Sequence, residues 1–405
     1  MTFDNFNFHP MLRKAIDDAG YTEPTEIQLK AMPKILKGFD IRASAQTGTG
    51  KTGAFLIPAL ELLTRSQKKG RGPRILILVP TRELAMQVST QATKYGKFLK
   101  EMKTVCVVGG VSYETQLRKL SKPYDILIAT PGRLIDFLEQ RKIDFPRLEM
   151  LILDEADRML DMGFQEQVET ILEAAPKNRQ TLLFSATLQG SVKHLSEKYM
   201  NKPMDIIVHS DHEPHANITQ LLHYVKDLAN KKKLLEHLLQ EEEMDRTIVF
   251  TSTKRQADIL VKNLHQGGHL AAALHGDMTQ GRRTRTITQL REGKIKILIA
   301  TDVAARGIDI QLISHVINFD LPRNVEDYVH RIGRTGRANS KGIALSFATR
   351  EDTGLVKRIQ EFTGQEIDLI EIPGFEAPPL KKKPMKQTFK PRQRKFSPAP
   401  KHRRR

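Results

Sequence analysis

The stretch Ala45-Gln-Thr-Gly-Thr-Gly-Lys-Thr52 decides the fold. It follows a short strand-like segment, Ile41 to Ser44, and precedes an apolar run, Ala54 to Leu63, long enough for a helix. Strand, glycine-rich turn and helix in that order make a P-loop. Small residues let backbone N–H groups close around phosphate oxygens, and the helix N-terminus favours negative charge. Ala45, Gln46, Thr47, Gly48, Thr49 and Gly50 are expected to form the cradle, with Ala45 where the pattern usually has its first glycine. Lys51 is placed to reach the β and γ phosphates, and Thr52 to offer its hydroxyl to Mg²⁺. Binding of a nucleoside triphosphate follows from this stretch.

A P-loop needs a parallel sheet around it, and the flanking sequence supplies one. Apolar, β-branched runs recur at Ile75 to Val79, Val105 to Val108, Ile126 to Ala129, Met150 to Leu153 and Thr181 to Phe184, separated by longer amphipathic stretches. After Pro203 the pattern loosens through a polar segment, His209 to Gln220. It then restarts at Ile248 to Phe250, Leu270 to Leu274, Ile295 to Ala300, Val316 to Phe319 and Ile343 to Phe347. Ile126-Leu-Ile-Ala-Thr130 and Ile297-Leu-Ile-Ala-Thr301 are near-identical strand ends, one in each half. The expected organisation is α/β: a nucleotide-binding domain over residues 1–207, a linker over 208–219, a second parallel-sheet domain over 220–375, and a basic tail over 376–405.

The composition agrees. A chain of 405 residues with 39% hydrophobic and 28% charged residues can build two cores, which excludes a wholly disordered or fibrous protein. The net charge is +18, but residues 378–405 carry twelve of the 65 Lys and Arg and none of the 47 Asp and Glu, leaving +6 for the rest. Proline and cations dominate the tail, which buries too little to offset chain ordering, so a disordered tail is expected. Basic charge of this kind suits a polyanion, with nucleic acid the first candidate. One cysteine, Cys106, allows no intramolecular disulfide and fits a reducing compartment, where it reads as a small buried strand residue. The opening Met-Thr-Phe-Asp-Asn-Phe has no basic segment followed by an apolar run, and no stretch approaches the roughly 18 apolar residues of a membrane span. A soluble, cytoplasmic protein is expected.

Leu151-Ile-Leu-Asp-Glu-Ala-Asp157 places carboxylates directly after a buried strand. There Asp154 can hold Mg²⁺ through water, and Glu155 can orient or deprotonate an attacking water. With the P-loop, this implies hydrolysis of the triphosphate. His330-Arg-Ile-Gly-Arg-Thr-Gly-Arg337 sets arginines at i, i+3 and i+6, close to one helical face, and such cations need an anion. Charge building on a γ-phosphoryl group is one, and a finger from another domain makes hydrolysis depend on closure.

These residues carry a resemblance. Asp154-Glu155-Ala156-Asp157 spells the motif for which DEAD-box RNA helicases are named, and the other motifs of that family appear in order. They are Gly20-Tyr-Thr-Glu-Pro-Thr-Glu-Ile-Gln28, Pro80-Thr-Arg-Glu-Leu-Ala85, Gly109-Gly110, Thr130-Pro-Gly-Arg133, Ser185-Ala-Thr187, Ala300-Thr-Asp-Val-Ala-Ala-Arg-Gly-Ile-Asp309 and the run ending at Arg337. The match covers roughly Phe3 to Phe375, and its compact core with a short basic extension is most similar to the bacterial RhlE-like subgroup.

The resemblance implies two tandem RecA-like domains and an RNA-stimulated ATPase that separates short duplexes locally. It implies ATP and Mg²⁺ as cofactors, RNA as partner, ribosome-assembly or RNA-degradation proteins as further partners, no membrane, and a monomer. Gln28 would read the adenine edge, since an amide both donates and accepts, with Phe3 packing on the base and Tyr21 beside it, in a segment spanning 3–31. Gly307 and Asp309 would complete the nucleotide site. Lys51, Asp154, Glu155, Arg334 and Arg337 would carry catalysis, and Thr52 with Asp154 the metal. Asp157, Ser185, Thr187 and His330 would couple nucleotide state to strand separation. Pro80, Thr81, Arg82, Gly110, Thr130, Arg133, Gly276 and Thr301 would follow the RNA backbone, giving weak sequence preference. Helix capping explains several of these positions equally well. Arg42, on a strand where a small or apolar residue is usual, and Glu26, where a second proline often stands, depart from the pattern. Two other readings fit the same residues: an ATP-gated RNA clamp or chaperone that grips mainly through its tail, and a DNA helicase or translocase of the same superfamily.

Overall fold

The computed structural model describes residues 2–45, 49–65, 70–99, 102–208, 217–240, 244, 246–305, 313–336 and 340–376, without the side chain of Val303. Gln46, Thr47, Gly48, Gly307, Asp309, Arg337, most of the expected linker and all of the tail after Glu376 lie outside the described residues.

The apolar runs form two sheets. In the first lobe they are β1 (Ile41–Ser44), β2 (Ile75–Leu78), β3 (Thr104–Val107), β4 (Ile126–Ala129), β5 (Met150–Leu153), β6 (Gln180–Ser185) and β7 (Met204–Ile207). All pair in parallel, in the order β3-β4-β2-β5-β6-β1-β7. In the second lobe they are β8 (Ile218–Tyr224), β9 (Thr247–Phe250), β10 (Ala271–Leu274), β11 (Ile297–Ala300), β12 (His315–Asn318), β13 (Gly342–Ala348) and β14 (Asp368–Leu369). Their order, β10-β11-β9-β12-β13-β8-β14, repeats the first strand for strand. The paired sequences at Ile126 and Ile297 therefore mark equivalent strands, β4 and β11.

The runs are apolar throughout because helices cover both faces. Alternate residues of β2, β4 and β5 go to opposite cores: Ile75, Ile77, Ile126, Ile128 and Ile152 to one, and Leu76, Leu78, Leu127, Leu151 and Leu153 to the other. β8 begins at Ile218, so Ile218 and Thr219, the end of the stretch expected as linker, belong to the second sheet, which starts earlier than its sequence suggests.

Arg42 lies in β1 and its guanidinium makes a two-pronged bond to Asp205 on the adjacent β7, Nε to Oδ1 at 2.6 Å and Nη2 to Oδ2 at 2.8 Å, while Nη1 donates to the Ser196 hydroxyl. It is a paired residue on the strand next to the sheet edge. Glu26 opens the helix Glu26–Leu36 and pairs with Lys30 one turn on. Cys106 is half-buried on β3, and burial pushes its thiol up to about 11. Among the described residues no helix is long and apolar enough to cross a membrane.

Parallel strands put their C-terminal ends on one edge of each sheet, and every motif singled out between residues 45 and 187 follows such an end. Ligands of open α/β sheets bind at this edge. The fold thus delivers residues distant in sequence to one crevice.

Candidate nucleotide and nucleic-acid site

The nucleotide side begins where β1 runs into the helix Lys51–Arg65. Lys51 is buried at the helix start, beside Asp154 at the end of β5, and its charge acts against the burial that raises the Asp154 carboxyl to about 7. Asp154 accepts from the Glu155 backbone N–H at 3.0 Å through Oδ1. A buried carboxylate facing an ammonium group suits a metal–phosphate ligand that brings both signs of charge, so the residues present fit Mg²⁺. Among the described residues no three His, Cys, Asp or Glu side chains gather as a metal cage.

Gln28 is buried and its amide faces the P-loop. Nε2 donates to the Gly50 carbonyl at 3.1 Å, and Oε1 accepts from the Thr25 backbone N–H at 3.0 Å, closing a capping box at the start of the helix Glu26–Leu36. Gly50 has φ of +92°, and a Cβ there would stand 2.8 Å from Gln28 Nε2, so only glycine fits. An amide has two N–H groups and two lone pairs, so one of each remains for a base. Phe3 is fully buried against Phe6 and Tyr21 and offers no face to a base in this structure. Tyr21 keeps some exposed surface, as does Phe6, and its hydroxyl accepts from the buried Tyr95 hydroxyl at 2.9 Å. Phe3 therefore backs Tyr21.

The coupling residues meet at the end of β6. Asp157 Oδ2 accepts from the backbone N–H groups of Ala186 (2.9 Å) and Thr187 (3.2 Å), and Ser185 Oγ accepts from those of Asp157 and Thr187, both at 3.3 Å. The Asp-Glu-Ala-Asp turn is thereby fastened to the Ser-Ala-Thr turn. Asp157 thus meets the Ser185–Thr187 turn directly, while His330 belongs to the second lobe's helix Val325–Ile332.

That helix ends at Ile332, so Arg334 does not share a helical face with Arg331. Gly333 caps it and Arg334 lies in the following turn, its Nε donating to the His330 carbonyl at 3.3 Å. Arg331 already has an anion: Nε and Nη2 bond Asp302 at 2.6 and 2.8 Å, and Nη1 reaches Asn318 and the Asp320 carbonyl. It knits the second lobe together.

The expected backbone track lies along strand ends too. Pro80 lies just past β2, and Thr81 caps the helix Arg82–Tyr95 by accepting from the Leu84 N–H at 3.3 Å. Thr130 starts the helix Pro131–Glu139 with no side-chain cap bond, and Thr301 stands between β11 and the turn Asp302–Ala305. Arg82 lies over Gly109 and Gly110. Gly110 has φ of +72°, and a Cβ there would fall 2.0 Å from the guanidinium. Arg133 donates to the Val111 carbonyl at 3.0 Å, and Gly276 opens on free space. Burial first, then the charges of Arg283 and Arg133, lower the pKa of Arg82, and a phosphate would relieve such crowding of cations. Gln116, buried and unsuspected from sequence, holds this loop through Val108 and Val111.

Sequence reading also missed the contact between lobes. Arg283, on the helix Gln280–Arg291, donates from Nε to Glu83 of the Pro80 to Ala85 motif at 2.7 Å, with both side chains buried. Its Nη1 and Nη2 bond the carbonyls of His275 and Ala304, each at 3.2 Å. One guanidinium thus ties first-lobe Glu83 to the loops carrying Gly276 and Thr301.

The DEAD/DEAH box helicase family matches residues 25–195, and the Helicase conserved C-terminal domain matches residues 230–339. The ATP-dependent RNA helicase SrmB of Escherichia coli is 43% identical over 368 residues, covering 90% of this chain and 83% of SrmB. DeaD of Mycobacterium tuberculosis, also an ATP-dependent RNA helicase, is 43% identical over 375 residues and 93% of this chain, which spans 66% of DeaD. The chain belongs to the DEAD-box helicase family. Among solved structures, Saccharomyces cerevisiae Dbp5 bound to RNA and ADP BeF3 gives a TM-score of 0.80 at 32% identity, covering 91% of this chain and 95% of that one. Overlap of that extent needs both lobes in similar relative placement.

Two predictions follow from this geometry. Replacing Arg283 with Ala should weaken RNA binding in the presence of a non-hydrolysable ATP analogue at least ~10-fold, since a buried charge loses its partner. ATP binding without RNA should be unaffected, and the charge swap Glu83→Arg with Arg283→Glu should recover part of the loss, measured by fluorescence anisotropy. For Asp154, a raised pKa favours the protonated form, whose contribution to stability is present at acid pH and lost as pH rises through about 7. A metal that needs the carboxylate reverses that preference. Affinity for Mg²⁺·ATP should then rise with pH up to about 7 and flatten above it, with proton release detectable by calorimetry in two buffers.

Proposed function

We propose that this chain is an ATP-dependent RNA helicase whose ATPase is stimulated by RNA and which opens short duplexes locally. What carries the reading is one arrangement: Lys51, Asp154 and Glu155 share a sheet edge with the Asp157–Ser185 junction, while Glu83, within the backbone track, is gripped by Arg283 of the second lobe. Nucleotide and RNA groups are thereby linked through both lobes.

In this mechanism Gln28 and Tyr21 take the adenine, and Lys51 draws the phosphates onto the helix start. Thr52 and Asp154 would hold Mg²⁺, which when bound neutralises charge on the phosphoryl oxygens. Glu155 orients the attacking water and takes its proton. Arg334 and Arg337, from the second lobe, steady the charge that builds on the γ-phosphoryl group, so turnover waits for closure. Gly307 and Asp309 complete the nucleotide site, and His330 joins Asp157, Ser185 and Thr187 in reporting its state. RNA lies along Thr81, Arg82, Gly110, Thr130, Arg133, Gly276 and Thr301. A strand bent to fit that track does not fit a straight duplex, so binding energy separates a few base pairs, and hydrolysis reopens the lobes for release. The tail concentrates RNA electrostatically. The RhlE-like subgroup, action as a monomer in the cytoplasm, and a role in ribosome assembly or RNA turnover are proposed with it.

Glu155→Gln should keep ATP and RNA binding, lower hydrolysis by at least ~100-fold and trap the closed complex. Undiminished turnover would remove Glu155 from its role. Matched RNA and DNA oligomers separate the helicase readings: ATPase stimulation by RNA alone supports this one, and equal stimulation by DNA supports the translocase. Removing residues 378–405 should weaken RNA binding and flatten its salt dependence while leaving ATP affinity unchanged. Loss of all RNA-stimulated turnover on that truncation would favour the tail-dependent clamp.

A further inference from the structure

We infer that Arg158 is a positioning residue for hydrolysis: it holds one carboxylate oxygen of Glu155 so that the other faces the attacking water. The inference rests on the role of Glu155 proposed above.

Arg158 lies in the short helix Ala156–Asp161, three residues after Glu155. Its Nη1 donates to Glu155 Oε2 at 2.7 Å, and the arginine side chain is 3% exposed. Nε and Nη2 are buried and have no hydrogen-bond partner among the described residues. A buried ion pair with incomplete bonding does not offset the desolvation of its charges, and an apolar side chain of similar length serves a core at least as well. The stability of the lobe therefore gives no reason for a cation here. The carboxylate it pairs with gives one.

The backbone supports this assignment. Glu155 has φ 53° and ψ 50°, a left-handed conformation that is strained for a residue with a side chain. Its N–H is bonded to Asp154 Oδ1, so the start of the side chain is fixed. What remains free is the set of torsions leading to the carboxylate, beside the like charges of Asp154 and Asp157. The bond to Arg158 removes that freedom. Arg158 is itself well anchored: its N–H donates to Asp157 Oδ1 at 3.0 Å, and Asp157 Oδ2 holds the Ala186–Thr187 turn. One helical turn thus sets the catalytic oxygen on one side and clasps the coupling loop on the other.

The test compares the full-length chain with Arg158→Met, Arg158→Lys and Glu155→Gln. The readouts are RNA-stimulated kcat and KM, equilibrium binding of a non-hydrolysable ATP analogue and of single-stranded RNA, and the thermal melting point. Arg158→Met should lower kcat by ~10- to 100-fold, as expected for a misplaced reacting group, with KM and both affinities within about 2-fold. Its melting point should stay level or rise. Arg158→Lys should recover much of the rate, and Arg158→Met added to Glu155→Gln should cost nothing further. A normal kcat for Arg158→Met would overturn the inference, as would a rate that falls together with the melting point, or a variant that fails to fold. If Glu155→Gln still turns over, the role of Glu155 itself fails. If Glu155→Gln is inactive while Arg158→Met is normal, only Arg158 loses its role.

Discussion

A charge buried between two lobes has to be answered by the opposite charge, and Arg283 with Glu83 supplies that match across the crevice. Separating the lobes returns both groups to water, and bringing them together makes the pair and its neighbouring carbonyl bonds at once. In the proposed mechanism, closure in this region should therefore be close to all-or-none. The carbonyls that Arg283 grips belong to loops carrying Gly276 and Thr301, and its charge presses on Arg82. The geometry of the proposed RNA track is set by the same contact that joins the lobes.

The first-lobe crevice shows a matching economy on its nucleotide side. Asp157 fastens two turns to each other, and Gln28 fastens the adenine segment to the P-loop. Few groups act alone. A substitution at one of them is felt through its bonded neighbours, so single-site losses in this crevice should be non-additive.

Much of the architecture was legible in the chain because β2, β4, β5, β9 and β11 are buried on both faces, which leaves continuous apolar runs between amphipathic helices. β7, β8 and β14 were not. β7 and β14 lie at sheet edges with exposed residues, and β8 buries Gln220 and His223, whose polarity is met by Tyr328, Gln365 and the Ile370 and Phe375 carbonyls. Such partners exist only after folding. The P-loop and the Asp154 turn were readable because their chemistry is local. The Arg283–Glu83 pair was not, since its members lie 200 residues apart and Arg283 is one of four arginines on a polar helix, where each reads as solvated. Phe3 and Arg331 show the limit from the other side, since each was identified by pattern yet spends its side chain on packing or internal pairing.

In the mechanism proposed above, the amide of Gln28 is a rivet in the wall of the phosphate cradle as well as a reader of the base. A guanine that turns this amide would pull on the Gly50 carbonyl and so disturb the seat of the phosphates one step along the chain. Discrimination among purines would then show in the speed with which a bound nucleotide is cleaved, and not solely in how often the crevice is filled.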